Sequence, residues 1–168
     1  MKVFLLEGCD GAGKTTLAGH LDNMSGASYI EHLHFSQPKT DSVWIEYAGP
    51  IIAAAARISL IDEDGWLIID RAHISEMVYG PMFRGRVIGK RWEWRKLEKL
   101  LDDLNTTRLF VNPGRKTIQK RLKARGDEFV NMTQAYQLSL KYNQLLLNNP
   151  KWTRVDAPGQ ALLEALAR

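Results

Sequence analysis

The stretch that decides the fold is Gly8-Cys9-Asp10-Gly11-Ala12-Gly13-Lys14-Thr15, followed by Thr16. It comes directly after the apolar run Val3–Leu6, which is typical of a buried strand, and before a segment with helical spacing of its apolar residues. Glycines let the backbone curl until several N–H groups point at one anion, and the N-terminus of the following helix also favours an anion. Strand, glycine-rich loop and helix in this order predict a phosphate-binding loop.

The loop predicts a site for ATP and Mg²⁺. We expect Lys14 to reach the β- and γ-phosphates and the Thr15 hydroxyl to hold the metal ion. The same loop contains Cys9, the only cysteine of the chain. A nearby helix N-terminus could lower the pKa of its thiol, but a small residue tolerated in the loop is the simpler interpretation. The other residues expected to contact the triphosphate are Gly8, Asp10, Gly11, Ala12, Gly13 and Thr16.

Length and composition favour one globular domain. The chain has 168 residues, of which 45% are hydrophobic and 25% charged. The single cysteine excludes an internal disulfide and fits a reducing cytoplasm. No apolar run looks long enough to span a bilayer, because Pro50–Ala56 is interrupted by Arg57, and no signal peptide is apparent. We therefore expect a cytoplasmic protein with no membrane partner.

The formal net charge of +4 arises largely from two basic segments, Arg84–Lys96 and Arg115–Arg125. Such charge could serve nucleic-acid binding, but an enzyme that handles two polyphosphates also needs it. We expect no nucleic-acid partner.

Apolar segments alternate with helical patterns along the chain, which predicts an α/β fold with a parallel sheet covered on both faces. In such sheets, ligands bind where the strands end. The predicted strands are Lys2–Leu6, Ser28–Leu33, Trp66–Ile69, Arg108–Val111 and Trp152–Val155. The predicted helices are Lys14–Asp22, Asp41–Ile61, Trp92–Leu104, Arg115–Arg125, Thr133–Leu147 and Gly159–Ala167.

A second cluster of polar residues follows the third predicted strand. Asp70 and Arg71 come directly after the apolar run Leu67–Ile69. The carboxylate of Asp70 would then lie beside the loop, where it can hold Mg²⁺ or its waters. The planar guanidinium of Arg71 suits two phosphate oxygens. An ordinary surface ion pair is the alternative.

Two motifs make a family resemblance specific. The loop, together with Glu7 before it, resembles that of thymidylate kinases. The segment Asp70-Arg71-Ala72-His73-Ile74-Ser75-Glu76-Met77-Val78-Tyr79 resembles the Asp-Arg-x-x-x-Ser-x-x-x-Tyr segment of that family. Small phage-type deoxynucleotide kinases are similar as well, notably in Ser75-Glu76 followed by Val78–Pro81. The resemblance implies a P-loop kinase three-layer sandwich with a five-stranded parallel sheet and a short lid.

The resemblance also implies roles for residues of the acceptor site. Asp10 would approach the deoxyribose 3′-hydroxyl, and Arg71 would bind the acceptor phosphate. Ser75 and Tyr79 would lie on a helix that lines the base and sugar pocket. Phe35 would pack on the base, or alternatively in the core, and Arg57 would contact the base.

Gly11 departs from some thymidylate kinases, which have an arginine at this loop position. The catalytic positive charge must then come from elsewhere, and a lid at about residues 115–130 contains Arg121 and Arg125. Because these residues are four apart, they share one helical face and could both approach the transferred phosphoryl group. A solvated basic helix is the alternative.

The predicted function is phosphoryl transfer from ATP to a deoxynucleoside 5′-monophosphate, most simply dTMP, by one domain of residues 1–168. The resemblance suggests a homodimer. A deoxynucleoside kinase is the main alternative, with Glu31 as the base that activates a 5′-hydroxyl. A GTPase is disfavoured because the sequence has no Asn-Lys-x-Asp motif. A module that binds nucleotide or nucleic acid without catalysis remains open.

Overall fold

A computed structural model describes residues 1–126 and 131–156, except the side chains of Arg125 and Met132. The predicted helix Gly159–Ala167 and part of the predicted lid lie outside these residues. The predicted architecture is confirmed: the described residues form an α/β fold in which helices flank a five-stranded parallel sheet.

The sheet has the strand order β2-β3-β1-β4-β5, with every neighbouring pair parallel. Consecutive residues of β1 are buried, although their side chains point to opposite faces of the sheet. Both faces are therefore covered, as expected for a parallel sheet joined by helices. The strands are β1 Lys2–Glu7, β2 Ile30–His34, β3 Trp66–Asp70, β4 Thr107–Val111 and β5 Trp152–Val155.

The helices agree with the predicted ones except at two places. The predicted helix Asp41–Ile61 begins later, at Trp44, with the π-helical turn Trp44–Ala48 that continues into α2. The pattern also gave no helix after β3, where α3 lies; Gly80 and Pro81 weaken the helical signal there. The helices are α1 Lys14–Met24, α2 Gly49–Ile61, α3 His73–Arg84, α4 Arg91–Asp103, α5 Arg115–Arg125 and α6 Met132–Leu146.

The continuous helical segment Trp44–Ile61 has 18 residues with a mean hydropathy of 1.2. By length and composition alone it could cross a membrane, although the sequence pattern predicts no membrane-spanning run because Arg57 interrupts it. A core helix has the same composition, and Ile51, Ala54 and Ile58 of this segment are fully buried. We therefore assign the face of the segment that carries these residues to the core.

The register of the strands brings several polar residues to one edge of the sheet. Leu6 of β1 and His34 of β2 both lie opposite Asp70 of β3, so the three strands end together. Gly8, the first residue of the loop, lies so close to β4 that a Cβ atom there would be 2.5 Å from the Val111 carbonyl oxygen. A glycine is therefore required at this position.

Candidate active site

A cleft of about 1000 Å³ opens at this edge of the sheet. It lies between the loop, the segment after β2, one side of α3 along its length, and α5. Most of the predicted loop residues line it, whereas Gly8 and Ala12 are buried beneath its surface. The predicted residues on its wall are Asp10, Gly11, Gly13, Lys14, Thr15, Thr16, Phe35, Asp70, Arg71, Ser75, Tyr79 and Arg121.

Lys14 lies folded under the loop. Its Nζ donates hydrogen bonds to the carbonyl oxygens of Gly8 (3.0 Å) and Cys9 (3.2 Å). Burial, together with the nearby charge of Arg71, lowers the pKa of Lys14 to about 8. A bound polyphosphate would stabilise the ammonium form and raise this pKa again.

Cys9 is buried within the same loop. Burial raises the pKa of its thiol to about 11, and the charge of Lys14 opposes this rise only in part. A low-pKa thiol at the helix N-terminus is therefore not what the structure shows, because the loss of solvent outweighs the favourable charges.

Arg71 lies between the loop and α3, with its side chain only 12% exposed. Its guanidinium pairs with the Asp10 carboxylate and donates to the Ser75 hydroxyl (3.4 Å). The guanidinium carbon also lies 4.8 Å from the centroid of the Tyr79 ring. The backbone of Arg71 has φ of 69°, a left-handed conformation that costs energy in a non-glycine residue. The chain thus holds this guanidinium in a preset position at the centre of the cleft.

Asp10 faces Arg71 and α3. One of its carboxylate oxygens pairs with Arg71, and the other accepts a hydrogen bond of 2.7 Å from the Tyr79 hydroxyl. Burial raises the pKa of Tyr79, so the hydroxyl stays protonated and remains a donor. Asp10 therefore joins the loop to Arg71 and to α3.

Glu7, the last residue of β1, is a completely buried carboxylate. It accepts hydrogen bonds from the backbone N–H groups of Ala72 (2.8 Å) and Ser75 (3.1 Å) at the start of α3. It also accepts from the hydroxyls of Ser75 (2.6 Å) and Tyr142 (3.3 Å). A buried carboxylate is tolerated here because four donors and the positive end of a helix satisfy it. Glu7 therefore positions Ser75 and the start of α3.

Asp70 and Thr15 fit a site for Mg²⁺. Asp70 Oδ2 lies 3.0 Å from His34 Nδ1, whereas Oδ1 is buried and has no hydrogen-bond partner in the described part of the chain. Thr15 lines the same cleft. A carboxylate oxygen left without a partner beside a loop threonine is the kind of donor set that a hydrated Mg²⁺ uses, since this ion keeps most of its waters.

The helix α5 packs directly on the loop. Arg121 Nη1 donates to the carbonyl oxygens of Gly11 (3.3 Å) and Ala12 (2.6 Å). A Cβ atom on Gly11 would lie 3.1 Å from the Leu122 side chain, and Gly11 has φ of 75°. A side chain at position 11 would therefore be crowded by Leu122 and strained by the left-handed backbone, while Arg121 places a guanidinium beside the loop. The side chain of Arg125 lies outside the described residues.

Aromatic rings form the far end of the cleft. The rings of Phe35 and Tyr47 meet edge to face, with centroids 5.2 Å apart. Those of Tyr79 and Phe83 are stacked at 5.8 Å. A planar heterocycle would find apolar and aromatic surface there.

We compared the chain with known proteins. No protein-family model and no curated protein sequence matches it. Solved structures do match. The YorR protein of Bacillus subtilis, solved with phosphorylated GDP, is 22% identical, with a TM-score of 0.71 over 99% of this chain and 91% of that one. The thymidylate kinase of Candida albicans is 20% identical, with a TM-score of 0.55 over 92% and 82% of the two chains.

A deoxyadenosine kinase from M. mycoides, solved with bound dATP, is 14% identical, with a TM-score of 0.54 over 99% of this chain and 97% of that one. The chain has the fold of the P-loop nucleotide kinases. The neighbours that establish this fold include nucleotide and deoxynucleoside kinases.

In this kinase fold, Arg57 does not reach the cleft. It lies on the exposed side of α2, where its guanidinium pairs with Glu31. α2 runs from the carboxyl edge of the sheet towards the opposite edge, where β3 begins, and Arg57 is near the end of that path. The expected contact with the base is therefore corrected: the pairing of Arg57 with Glu31 belongs to the surface of the molecule.

Sequence reasoning missed several residues that line the cleft or support it from beneath. Glu76 was part of the quoted motif but had no role assigned, and Arg84 was noted only within a basic segment. Tyr142 carries no local signal at all, because it reaches Glu7 from 135 residues away. The remaining unassigned residues on the cleft wall include Tyr47 and Phe83.

Proposed function

We propose that the chain is a nucleoside monophosphate kinase that transfers the γ-phosphoryl group of ATP to a deoxynucleoside 5′-monophosphate, with dTMP as the preferred acceptor. One observation carries the proposal above all. The guanidinium of Arg71 lies between the phosphate-binding loop and the aromatic end of the cleft. An acceptor whose base occupies the aromatic end would present its phosphate to Arg71.

The chemistry of such a transfer is mainly positioning and charge neutralisation. Lys14 would bind the donor phosphates and Arg121 would face the transferred group across the loop. Arg71 would align the acceptor phosphate, and Asp10 with Tyr79 would bind the sugar. Thr15 and Asp70 would hold Mg²⁺, which neutralises negative charge on the donor phosphates. Because the acceptor phosphate is already anionic near neutral pH, no strong base is needed.

The alternative, a deoxynucleoside kinase, requires a carboxylate at the end of β2 to activate a neutral hydroxyl. Glu31 does not meet this need, since it lies near the start of β2, opposite Leu67, and pairs with Arg57. The residues where β2 ends, His34 and Phe35, carry no carboxylate. This geometry favours a monophosphate acceptor.

The same proposal covers the organisation of the enzyme. Residues 1–168 would form one domain, with a lid at about residues 115–130 that includes Arg125 and closes over both phosphates to exclude water. We further propose a cytoplasmic enzyme whose partners are its nucleotides and, in a homodimer, a second copy of the chain.

The test is to incubate the protein with ATP and Mg²⁺ and each nucleoside or its 5′-monophosphate, and to quantify ADP. We expect ADP with deoxynucleoside monophosphates and background levels with nucleosides. Turnover of nucleosides alone would overturn the proposal in favour of the alternative. Tight binding of single-stranded DNA at physiological salt without any transfer would point to a binding module instead.

A further inference from the structure

Two charged residues lie at the aromatic end of the cleft, on α3, and the proposed reaction does not use either of them. Glu76 and Arg84 both line the cleft wall. The Arg84 guanidinium pairs with the Glu76 carboxylate through Nη2 and Oε2. They stand beside Tyr47 and Phe83, where a base would lie.

The carboxylate of Glu76 is not available to a ligand. Its side chain is 1% exposed. One oxygen is taken by Arg84, and the other accepts a hydrogen bond of 3.1 Å from the backbone N–H of Ile88. Glu76 therefore serves as an anchor for Arg84.

Arg84 has donors left over. Its side chain is 19% exposed, and Glu76 is its only hydrogen-bond partner in the described part of the chain. A guanidinium has five N–H donors and no acceptor. Because Arg84 lines the cleft, the donors that Glu76 does not use are left for a ligand there. Arg84 therefore favours a ligand atom that accepts hydrogen bonds. The other polar groups nearby do not oppose this preference for an acceptor, because Gln37 is exposed and the Tyr47 hydroxyl can donate or accept.

The pair is held rigidly. A Cβ atom on Gly80 would lie 2.7 Å from the Glu76 carboxylate, 3.1 Å from Arg84 Nη2 and 2.6 Å from the Arg86 carbonyl oxygen. Only glycine leaves room for the chain after α3 to fold back over the pair. A donor fixed in this way can discriminate between ligands that present an acceptor and ligands that present a donor.

We propose that Arg84, anchored by Glu76, reads the base and selects acceptors that present a carbonyl oxygen, as thymine, uracil and guanine do, over bases that present an amino group there. This inference rests on the proposed function, since it assumes that the cleft holds an acceptor nucleotide. An amino group directed at Arg84 would leave both donors without partners.

The test uses two nucleotides that differ only at the 4-position and at N3 of the base, dTMP and 5-methyl-dCMP. For the wild-type protein we expect dTMP to bind about 10- to 100-fold more tightly by calorimetry, with a similar ratio in kcat/KM. In Arg84→Gln the two nucleotides should bind with affinities within about threefold of each other, because an amide both donates and accepts. In Glu76→Gln, which keeps the oxygen that accepts from Ile88, the ratio should fall less.

Arg86→Gln is the matched control, since Arg86 is exposed and pairs with Asp41 outside the cleft; its ratio should equal that of the wild type. Equal binding of the two nucleotides to the wild type, or an unchanged ratio in a folded Arg84→Gln, overturns the inference. The wild-type ratio decides the matter even if a variant fails to fold. If dTMP binds selectively but no monophosphate yields ADP, the proposed function fails while the reading of the base stands.

Discussion

At the scale of single residues, the site depends on buried charged side chains, above all those of Lys14 and Arg71. Lys14 is buried and its pKa is lowered to about 8, first by burial and then by the charge of Arg71. A lysine in this state is partly neutral in weakly alkaline solution and regains its proton when phosphate oxygens replace the loop carbonyls. The cost of burying this cation is therefore offset on ligand binding.

The first prediction concerns protons taken up with ATP. Because the pKa of Lys14 is about 8 without ligand and rises on binding, the protein should take up about half a proton per ATP at pH 8 and close to one at pH 9, but very little at pH 6.5. Calorimetry in buffers of different ionisation enthalpy measures this uptake. Lys14→Met should abolish it and lower transfer at least about 100-fold. Equal uptake by the variant would assign the proton to another group.

The second prediction concerns Arg71. Arg71→Ala should raise the KM of the acceptor monophosphate roughly 100-fold, because charge-assisted hydrogen bonds to its phosphate are lost, and should change the KM of ATP much less. Steady-state kinetics with each substrate varied in turn separates the two effects. Arg86→Ala is a control on the surface. A rise confined to the KM of ATP would place Arg71 in the donor site.

At the scale of secondary-structure elements, α5 and the loop form one packed unit. Gly11 packs closely beneath Leu122, and Arg121 donates to two loop carbonyl oxygens. A nucleotide that recruits the guanidinium of Arg121 must therefore compete with those carbonyl groups.

The third prediction follows from this packing. Arg121→Ala should lower kcat about 10- to 100-fold, with a smaller change in either KM, because the guanidinium is used chiefly when charge develops on the transferred group. Lys123→Ala, on an exposed position of the same helix, should retain wild-type kinetics. Full activity of Arg121→Ala would show that α5 supplies no catalytic charge through this residue.

At the scale of the whole molecule, one buried network joins three elements that are distant in sequence. Glu7 of β1, Ser75 of α3 and Tyr142 of α6 are linked by hydrogen bonds, and Arg71 Nη1 lies 3.5 Å from the Tyr142 hydroxyl. Tyr142 is buried, and burial with the nearby charge of Glu7 raises its pKa. The network fixes the start of α3, and with it the part of the cleft where we propose that the acceptor binds.

The fourth prediction tests this network. Tyr142→Phe should lower the free energy of unfolding by about 1–2 kcal/mol, because Ser75 and Glu7 lose a buried partner. Glu7→Gln should cost about 2–4 kcal/mol, since the amide cannot accept from all four donors. Tyr136→Phe, on an exposed part of α6, should stay within about 0.5 kcal/mol of the wild type. Urea unfolding measures all three, and equal effects of the two tyrosine variants would contradict the role given to Tyr142.

Much of the fold could be predicted from the sequence, because the signals involved are local. Apolar strands and amphipathic helices can be recognised from short stretches of sequence. The five predicted strands and most predicted helices therefore lie within a few residues of the observed ones. The helix after β3 was missed by pattern because Gly80 and Pro81 interrupt it, and it was expected only from the family resemblance. The loop was recognisable because its glycines, Lys14 and Thr15 are adjacent in sequence.

What the sequence by itself determined was therefore the α/β fold and the glycine-rich loop, since a strand, such a loop and a helix meet through local backbone geometry alone. Only the tertiary structure decided the rest of the cleft, where we propose that the acceptor binds. In the structure, Arg57 lies at the surface, where it pairs with Glu31. Glu7 and Tyr142 are hydrogen-bonded beneath the start of α3, and Arg84 lies at the aromatic end of the cleft. These contacts depend on the register of strands and the direction of helices, which no short window of sequence contains.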